Sequence, residues 1–296
     1  MSLRLKSYIY LIILSFIWGS SFILIKYGLQ DPNGNTRLTP EYLGALRLSI
    51  AFIILIPFGV KSLNTITKKQ WIYLAIIGII GNGIPTFLFA YAQTTLSSAE
   101  TGILNSTVPI FTIIIAVVVF KFSWKSKHII GICLGITGTF FIINGKGIDS
   151  ASFDNILAIT LVVLASLCYA ISLTTIKYKT KDLSPKLITS ASFYFVGIPC
   201  IIYLLVSDFS IFIKDNPNSI DGIYSIIILA VICTAFAVLL FNRMIQISSP
   251  VFASSITFTI PIVALVIGFY NNEDIHLLQI IGMFTILTGV FFINKK

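Results

Sequence analysis

Charge is scarce in this sequence. Charged residues make up 10% of its 296 positions, where a soluble domain carries about 25%. Acidic groups are rarer still, 11 Asp and Glu in all, and none stands at the centre of a long apolar run. There are two histidines, His128 and His276, with no companion ligands near them in sequence. All four cysteines, Cys133, Cys168, Cys200 and Cys233, fall inside apolar runs without metal-ligand spacing, so they read as small packing residues. No H-E-x-x-H, G-x-S-x-G or P-loop motif occurs, which leaves nucleophilic, zinc-hydrolytic and nucleotide chemistry without their usual residues. A membrane-embedded enzyme would need a clustered ionisable pair at midplane, and the sequence shows none. No metal or other cofactor is expected.

What the sequence has in quantity is apolar surface. Hydrophobic residues are 56% of the chain and the mean hydropathy is +0.97. Lipid is therefore the expected solvent for most of it. A helical span takes about 20 apolar residues, and spans are predicted near 8–28, 41–59, 71–93, 99–121, 127–145, 155–176, 187–207, 221–242, 250–270 and 276–294. Turn-rich breaks separate them, among them Asp31-Pro32-Asn33-Gly34, Ser184-Pro185, Asp215-Asn216-Pro217-Asn218 and Ser249-Pro250. The first run lacks an A-x-A-like cleavage site and opens a series of spans, so it reads as a helix and not a detachable signal.

The net charge of +9 follows topology and does not call for a nucleic-acid partner. Fifteen Lys and Arg, including Lys68, Lys69, Lys127 and Lys181, fall at the termini and in even-numbered loops, against three on the other side, Arg37, Lys146 and Lys214, or five if Lys26 and Arg47 are assigned there. The positive-inside rule then puts both termini in the cytoplasm, in a bacterial inner membrane. The expected partners are lipid and a small solute, in a monomer or homodimer.

The two halves repeat. At an offset of 151, Ser15, Trp18, Ser21 and Ile25-Lys26-Tyr27 pair with Ser166, Tyr169, Ser172 and Ile176-Lys177-Tyr178. Thr137-Gly138-Thr139-Phe140-Phe141-Ile142 likewise pairs with Thr288-Gly289-Val290-Phe291-Phe292-Ile293. Thr107-Val108-Pro109-Ile110 meets Thr259-Ile260-Pro261-Ile262 at 152. The repeats occupy 8–145 and 155–294. Five helices is an odd number, so the second repeat enters the membrane inverted. Inverted repeats are a transporter architecture, with the substrate site near midplane between them.

Several motifs then fall into place together: Trp18-Gly19-Ser20-Ser21, Ala45-Leu46-Arg47, Ser97-Ser98-Ala99 followed by Pro109, Pro250 with Pro261, and Glu273 before Gln279-Ile280-Ile281-Gly282. In these the chain resembles the EamA family of the drug/metabolite transporter superfamily. The first repeat departs from the pattern, with Phe122 where the mate of Glu273 is due. The resemblance implies ten helices and export of amino acids or similar metabolites.

Candidate site residues follow from the symmetry. Pro109 and Pro261 are expected to kink two helices at midplane and to free the carbonyls of Asn105 and Thr257. They are hinge candidates, against the simpler reading of a packing kink. Helix three carries Asn82, Thr86, Phe89 and Gln93 on one face; Thr234 and Phe241 are the mates of Asn82 and Phe89 at 152. Trp18 and its mate Tyr169 complete a predicted substrate-binding set with these residues and with Asn105 and Thr257. The alternative for such residues is interhelical hydrogen bonding, the reading preferred for the serines. Arg47 reads as structural: it lies near enough to the outer face to snorkel, or it could pair with Glu100 or receive a substrate carboxylate. Glu100 fits a capping box with Ser97, Lys26 and Lys177 read as interface anchors, and Gly131, Gly135 and Gly138 read as a close-packing stripe. With no central carboxylate, alternating access by a neutral or zwitterionic solute is the expected activity, and a channel-like pore is the alternative.

Overall fold

The computed structural model describes residues 3–123, 125–145, 153–270 and 276–294. Glu273, Lys146, Lys295 and Lys296, used in the sequence reading, lie outside the described residues. Among the described residues the chain is helical, and its one β element is an isolated bridge between Gln30 and Thr36.

Helix starts are written in short polar signals. Helix α1 (Leu3–Leu29) leads through a turn in which Asp31 accepts the backbone N–H groups of Asn33 and Asn35 and the Asn35 amide. The Asn35 side-chain hydrogen bond is the first cause holding the exposed Asp31 carboxyl below its ordinary value. Thr39 then caps α2 (Pro40–Leu55), with Pro40 at its first turn. The α-helix ends before Pro57 and continues as 3-10 turns, Ile56–Phe58 and Val60–Thr65, short of the predicted 41–59. Thr67 and Gln70 form a capping box at the start of α3 (Lys68–Thr95). Ser97 and Glu100 form another, as predicted, at the start of α4: the Glu100 N–H donates to Ser97 and the Ser97 N–H to Glu100, at 3.2 and 2.8 Å. Helix α4 comprises Ser98–Leu104, a 3-10 turn Asn105–Thr107 and Val108–Val118.

The second half follows the same plan. After α5 (Ser126–Gly145) come α6 (Phe153–Lys179) and α7 (Pro185–Val206), the latter capped by Ser184 with Pro185 in its first turn. A short helix, Phe209–Asp215, occupies part of the connection to α8 (Ser219–Ile247). Ser249 caps α9, which is Pro250–Ser254 and Ile256–Tyr270 divided at Ser255, and α10 is Leu277–Asn294.

Seven of these stretches are long and apolar enough to cross a membrane, while α5, α9 and α10 contribute the shorter apolar segments Ile129–Gly138, Pro250–Val263 and Ile280–Gly289. Large apolar side chains cover the outside, with Val118 74% and Val206 81% exposed. Hydroxyls inside the helices are satisfied mostly by their own helix: Thr112, Ser166 and Thr174 each donate to the carbonyl four residues back. That removes the cost of an unpaired donor in an apolar medium.

Glycines let α5 and α10 approach each other closely. A Cβ on Gly138 would stand 2.6 Å from the Gly282 carbonyl oxygen, and one on Gly289 2.6 Å from that of Gly131. The glycine stripe therefore packs α5 against α10 within one protomer. Lys26 and Lys177 are also more than interface anchors. Lys26 donates to the Gln93 carbonyl at the end of α3, and Lys177 to the carbonyls of Ile245, Gln246 and Ser248 at the end of α8. Each lysine satisfies carbonyls that a helix C-terminus leaves open.

Candidate functional site

The middles of α3 and α8 are not α-helical. Ile76–Gly83 and Leu229–Phe236 are π-helical stretches of 8 residues each, and one maps onto the other at an offset of 153. Within them Asn82 Nδ2 donates to the Ile77 carbonyl and Thr234 Oγ1 to the Leu229 carbonyl, both five residues back and both 3.0 Å. The wider turn leaves backbone carbonyls available to other groups, as π-bulges at functional sites often do. The Trp18 indole N–H uses one of them, donating to the Cys233 carbonyl at 2.9 Å.

Between these stretches lies a cavity lined from α1, α2, α3, α4, α6, α8 and α9. All nine residues predicted for substrate binding line it: Trp18 from α1, Asn82, Thr86 and Phe89 from α3, Asn105 from α4, Tyr169 from α6, Thr234 and Phe241 from α8, and Thr257 from α9. Its aromatic walls obey the repeat. Trp18 packs edge-on against Phe241 at 4.8 Å, and their mates Tyr169 and Phe89 stack at 5.7 Å. The cavity volume is about 100 Å³, and at roughly 10–15 Å³ per water it has room for several waters or a small solute.

The prolines sit elsewhere. Neither Pro109 nor Pro261 lines the cavity, and both are buried. Pro109 stands in the first turn of Val108–Val118, after a 3-10 turn, and not in the middle of a continuous helix. The Asn105 carbonyl, expected to be freed, accepts the Val108 N–H within that turn. Pro261 is inside its helix as predicted, but the Thr257 carbonyl accepts the Ser106 hydroxyl at 3.0 Å. Both carbonyls are thus satisfied by protein. At the local offset of 152 the mate of Thr257 is Asn105, so this contact joins Thr257 to the neighbour of its own mate.

Arg47 departs furthest from the sequence reading. It is 8% exposed and lines the cavity, so it does not snorkel to the outer surface. Its Nε donates to Thr234 Oγ1 at 2.8 Å, and Glu100 is occupied with the cap of α4. Ser21 and Ser172, repeat mates read as packing residues, and Asn242 also line the cavity. The α3 face with its mates in α8, the paired positions of α1 and α6, and Asn105 with Thr257 were visible as patterns; Arg47 stood out by its charge and motif but without a mate, and Asn242 had no signal to mark it.

The comparisons agree with this architecture. The profile of the EamA-like transporter family matches twice, over residues 5–144 and 156–295. An uncharacterized transporter of Archaeoglobus fulgidus is 24% identical over 296 residues, covering 99% of this chain and 100% of its own. The uncharacterized transporter YyaM of Bacillus subtilis is 24% identical over 292 residues, 97% and 93% of the two chains. A solved crystal structure shares the fold with a TM-score of 0.71 at 11% identity, covering 97% of this chain and 96% of its own. Two family matches that together span nearly the whole sequence place the chain in the EamA-like transporter family.

Proposed function

We propose that this membrane transporter exports a small neutral or zwitterionic metabolite, such as an amino acid, by alternating access through the cavity between its repeats. The observation that carries the reading is the pairing of Trp18–Phe241 with Phe89–Tyr169 around one enclosed space. Each aromatic pair joins one repeat to the other, so rocking one repeat against its mate would open the cavity on alternate sides. Apolar aromatic walls with a few amide and hydroxyl groups suit a metabolite whose body is apolar. The hinge role of Pro109 and Pro261 belongs to the same reading, since both flank the crossing of α4 and α9 at Ser106 and Thr257.

Ten spans with both termini in the cytoplasm of a bacterial inner membrane complete the proposal, and contacts at the helix ends support it. Asn216 donates to the Thr36 and Arg37 carbonyls, and Arg37 pairs with Asp221 at 3.4 Å. Loops that touch lie on one face, so an even number of crossings separates them. The long spans between them are five, and α5 supplies the sixth. The stacking of Phe120 on Tyr178 at 4.4 Å makes the same demand of the segment from α4 to α6.

The test is transport in proteoliposomes with a panel of labelled amino acids and related metabolites. A carrier shows counterflow, uptake of tracer driven by unlabelled solute trapped inside, and Asn82→Ala and Phe241→Ala should reduce it. Flux without counterflow would favour the channel-like alternative, and no flux with any small metabolite would reject the proposal.

A further inference from the structure

One residue breaks the symmetry of the cavity. The residues of α1, α3 and α4 that line it are answered by residues of α6, α8 and α9, but α2 contributes Arg47 while its counterpart α7 contributes nothing. Arg47 uses Nε on Thr234. No hydrogen bond or ion pair from either Nη atom is present among the described residues, and neither belongs to the sealed polar atoms that lack a partner. The free fork of the guanidinium is therefore open to the cavity. The Thr234 hydroxyl gives its proton to the Leu229 carbonyl and takes the Arg47 Nε–H, which fixes the plane of the guanidinium and its direction.

We infer, resting on the cavity being the transport site, that the solute is recognised through a single carboxylate received end-on by the two Nη groups of Arg47. The charge count selects this class. Arg47 is the one Lys or Arg in the cavity lining, and no Asp or Glu lines it among the described residues. A monoanion brings the cavity to neutrality; a phosphate dianion would overshoot, and a cation would meet repulsion with nothing to hold it. An isolated arginine charge inside a membrane protein is expensive unless paired, and a carboxylate fits its fork with two parallel hydrogen bonds. The sealed amide oxygens of Asn105 and Asn242 lack partners, yet they are neutral and cannot replace a carboxylate as the counterpart of an ammonium. An α-amino group is therefore tolerated and not required. The aromatic walls select an apolar body on the carboxylate.

The experiment uses four solutes with one branched body: 4-methylpentanoate, leucine, 3-methylbutan-1-ol and 3-methylbutylamine. Trp71 and Trp124 are replaced by Phe, leaving Trp18 in the cavity wall as the fluorescent reporter in the purified full-length protein. Both carboxylates should bind with Kd about tenfold or more below that of the alcohol, and the amine should bind weakest. Arg47→Gln should erase the preference for acid over alcohol, and Arg47→Lys should restore part of it. Thr234→Val should weaken binding but keep the preference, whereas a purely structural Arg47 would make it behave like Arg47→Gln. The inference is overturned if alcohol or amine binds the parent protein as tightly as the acids, or if Arg47→Gln leaves the preference intact. Carboxylate binding without flux in proteoliposomes would sink the transport reading and leave the subsite standing; flux indifferent to Arg47 would do the reverse.

Discussion

Lys26 and Lys177 show what one side chain does when a repeat places it at two helix ends. Lys177 holds three carbonyls at the end of α8, and Lys26 holds one at the end of α3. Charge-assisted hydrogen bonds of this kind contribute about 1.5–3 kcal/mol. Lys177→Met should therefore lower thermal stability in detergent by about 2 kcal/mol, and by more than Lys26→Met; melting curves of the two variants decide it, and equal losses would mean the extra carbonyls find water instead. The sequence showed that these lysines were equivalent but not what they touch, because the partners lie 67 to 71 residues away. Arg47 was harder still. Its position near the outer face forecast snorkelling, while the hydroxyl that orients it inward sits 187 residues on. Spacing and the repeat together put Asn82 on the face of α3 that lines the cavity. Its amide bonds its own helix, so the alternative that it glues two helices finds no partner among the described residues. Asn82→Ala should cut transport several-fold with little change in melting temperature.

At the scale of helices, the capping box at Ser97 was readable because its signal is local, three residues apart; the box of the same form at Thr67 was missed. The π-helical stretches were not readable. Eight mostly apolar residues carry no period that separates i→i+5 from i→i+4 hydrogen bonding, and the helices packed against them, α6 and α7 on α3 and α2 and α1 on α8, are distant in sequence. The stretch in α3 includes Ile79, whose side chain is exposed on the outer surface. Deleting Ile79 should let α3 close into a regular α-helix with its two ends kept in register, removing the widened turn on which Asn82 sits. The deletion should fold and insert but not transport; flux near the parent level would show that the π geometry is incidental. Pro109→Ala tests the crossing of α4 and α9 similarly. It restores a donor beside the 3-10 turn without touching a cavity side chain, and transport should fall while expression and monodispersity hold.

For the whole molecule, the two-repeat architecture was legible as matches at a near-constant offset, and the seven long spans as composition. The pairing of α5 with α10 was not, since the glycine stripe reads equally well as a contact between protomers. Reporter fusions after Lys69, Lys127 and Lys181 should report cytoplasm, and fusions at Asn35 and Asn218 the opposite side; finding the last two on different faces would contradict the contacts between their loops. With no carboxylate in the cavity lining and Glu100 held in its cap, counterflow should persist without an imposed proton gradient and in Glu100→Gln. Strict dependence on the gradient would reveal a titrating group elsewhere. The reciprocal contacts of Gly131 with Gly289 and Gly138 with Gly282 have a consequence for assembly. In a two-fold dimer, residue i of one subunit meets j of the other, and j meets i. This interface has that isologous form, so the protein is built as two subunits tied into one polypeptide. Chains 1–148 and 149–296, made together from separate messages, should find each other in the bilayer through α5 and α10 and reconstitute a working carrier, while Gly138→Leu, which fills the seam, should leave them apart.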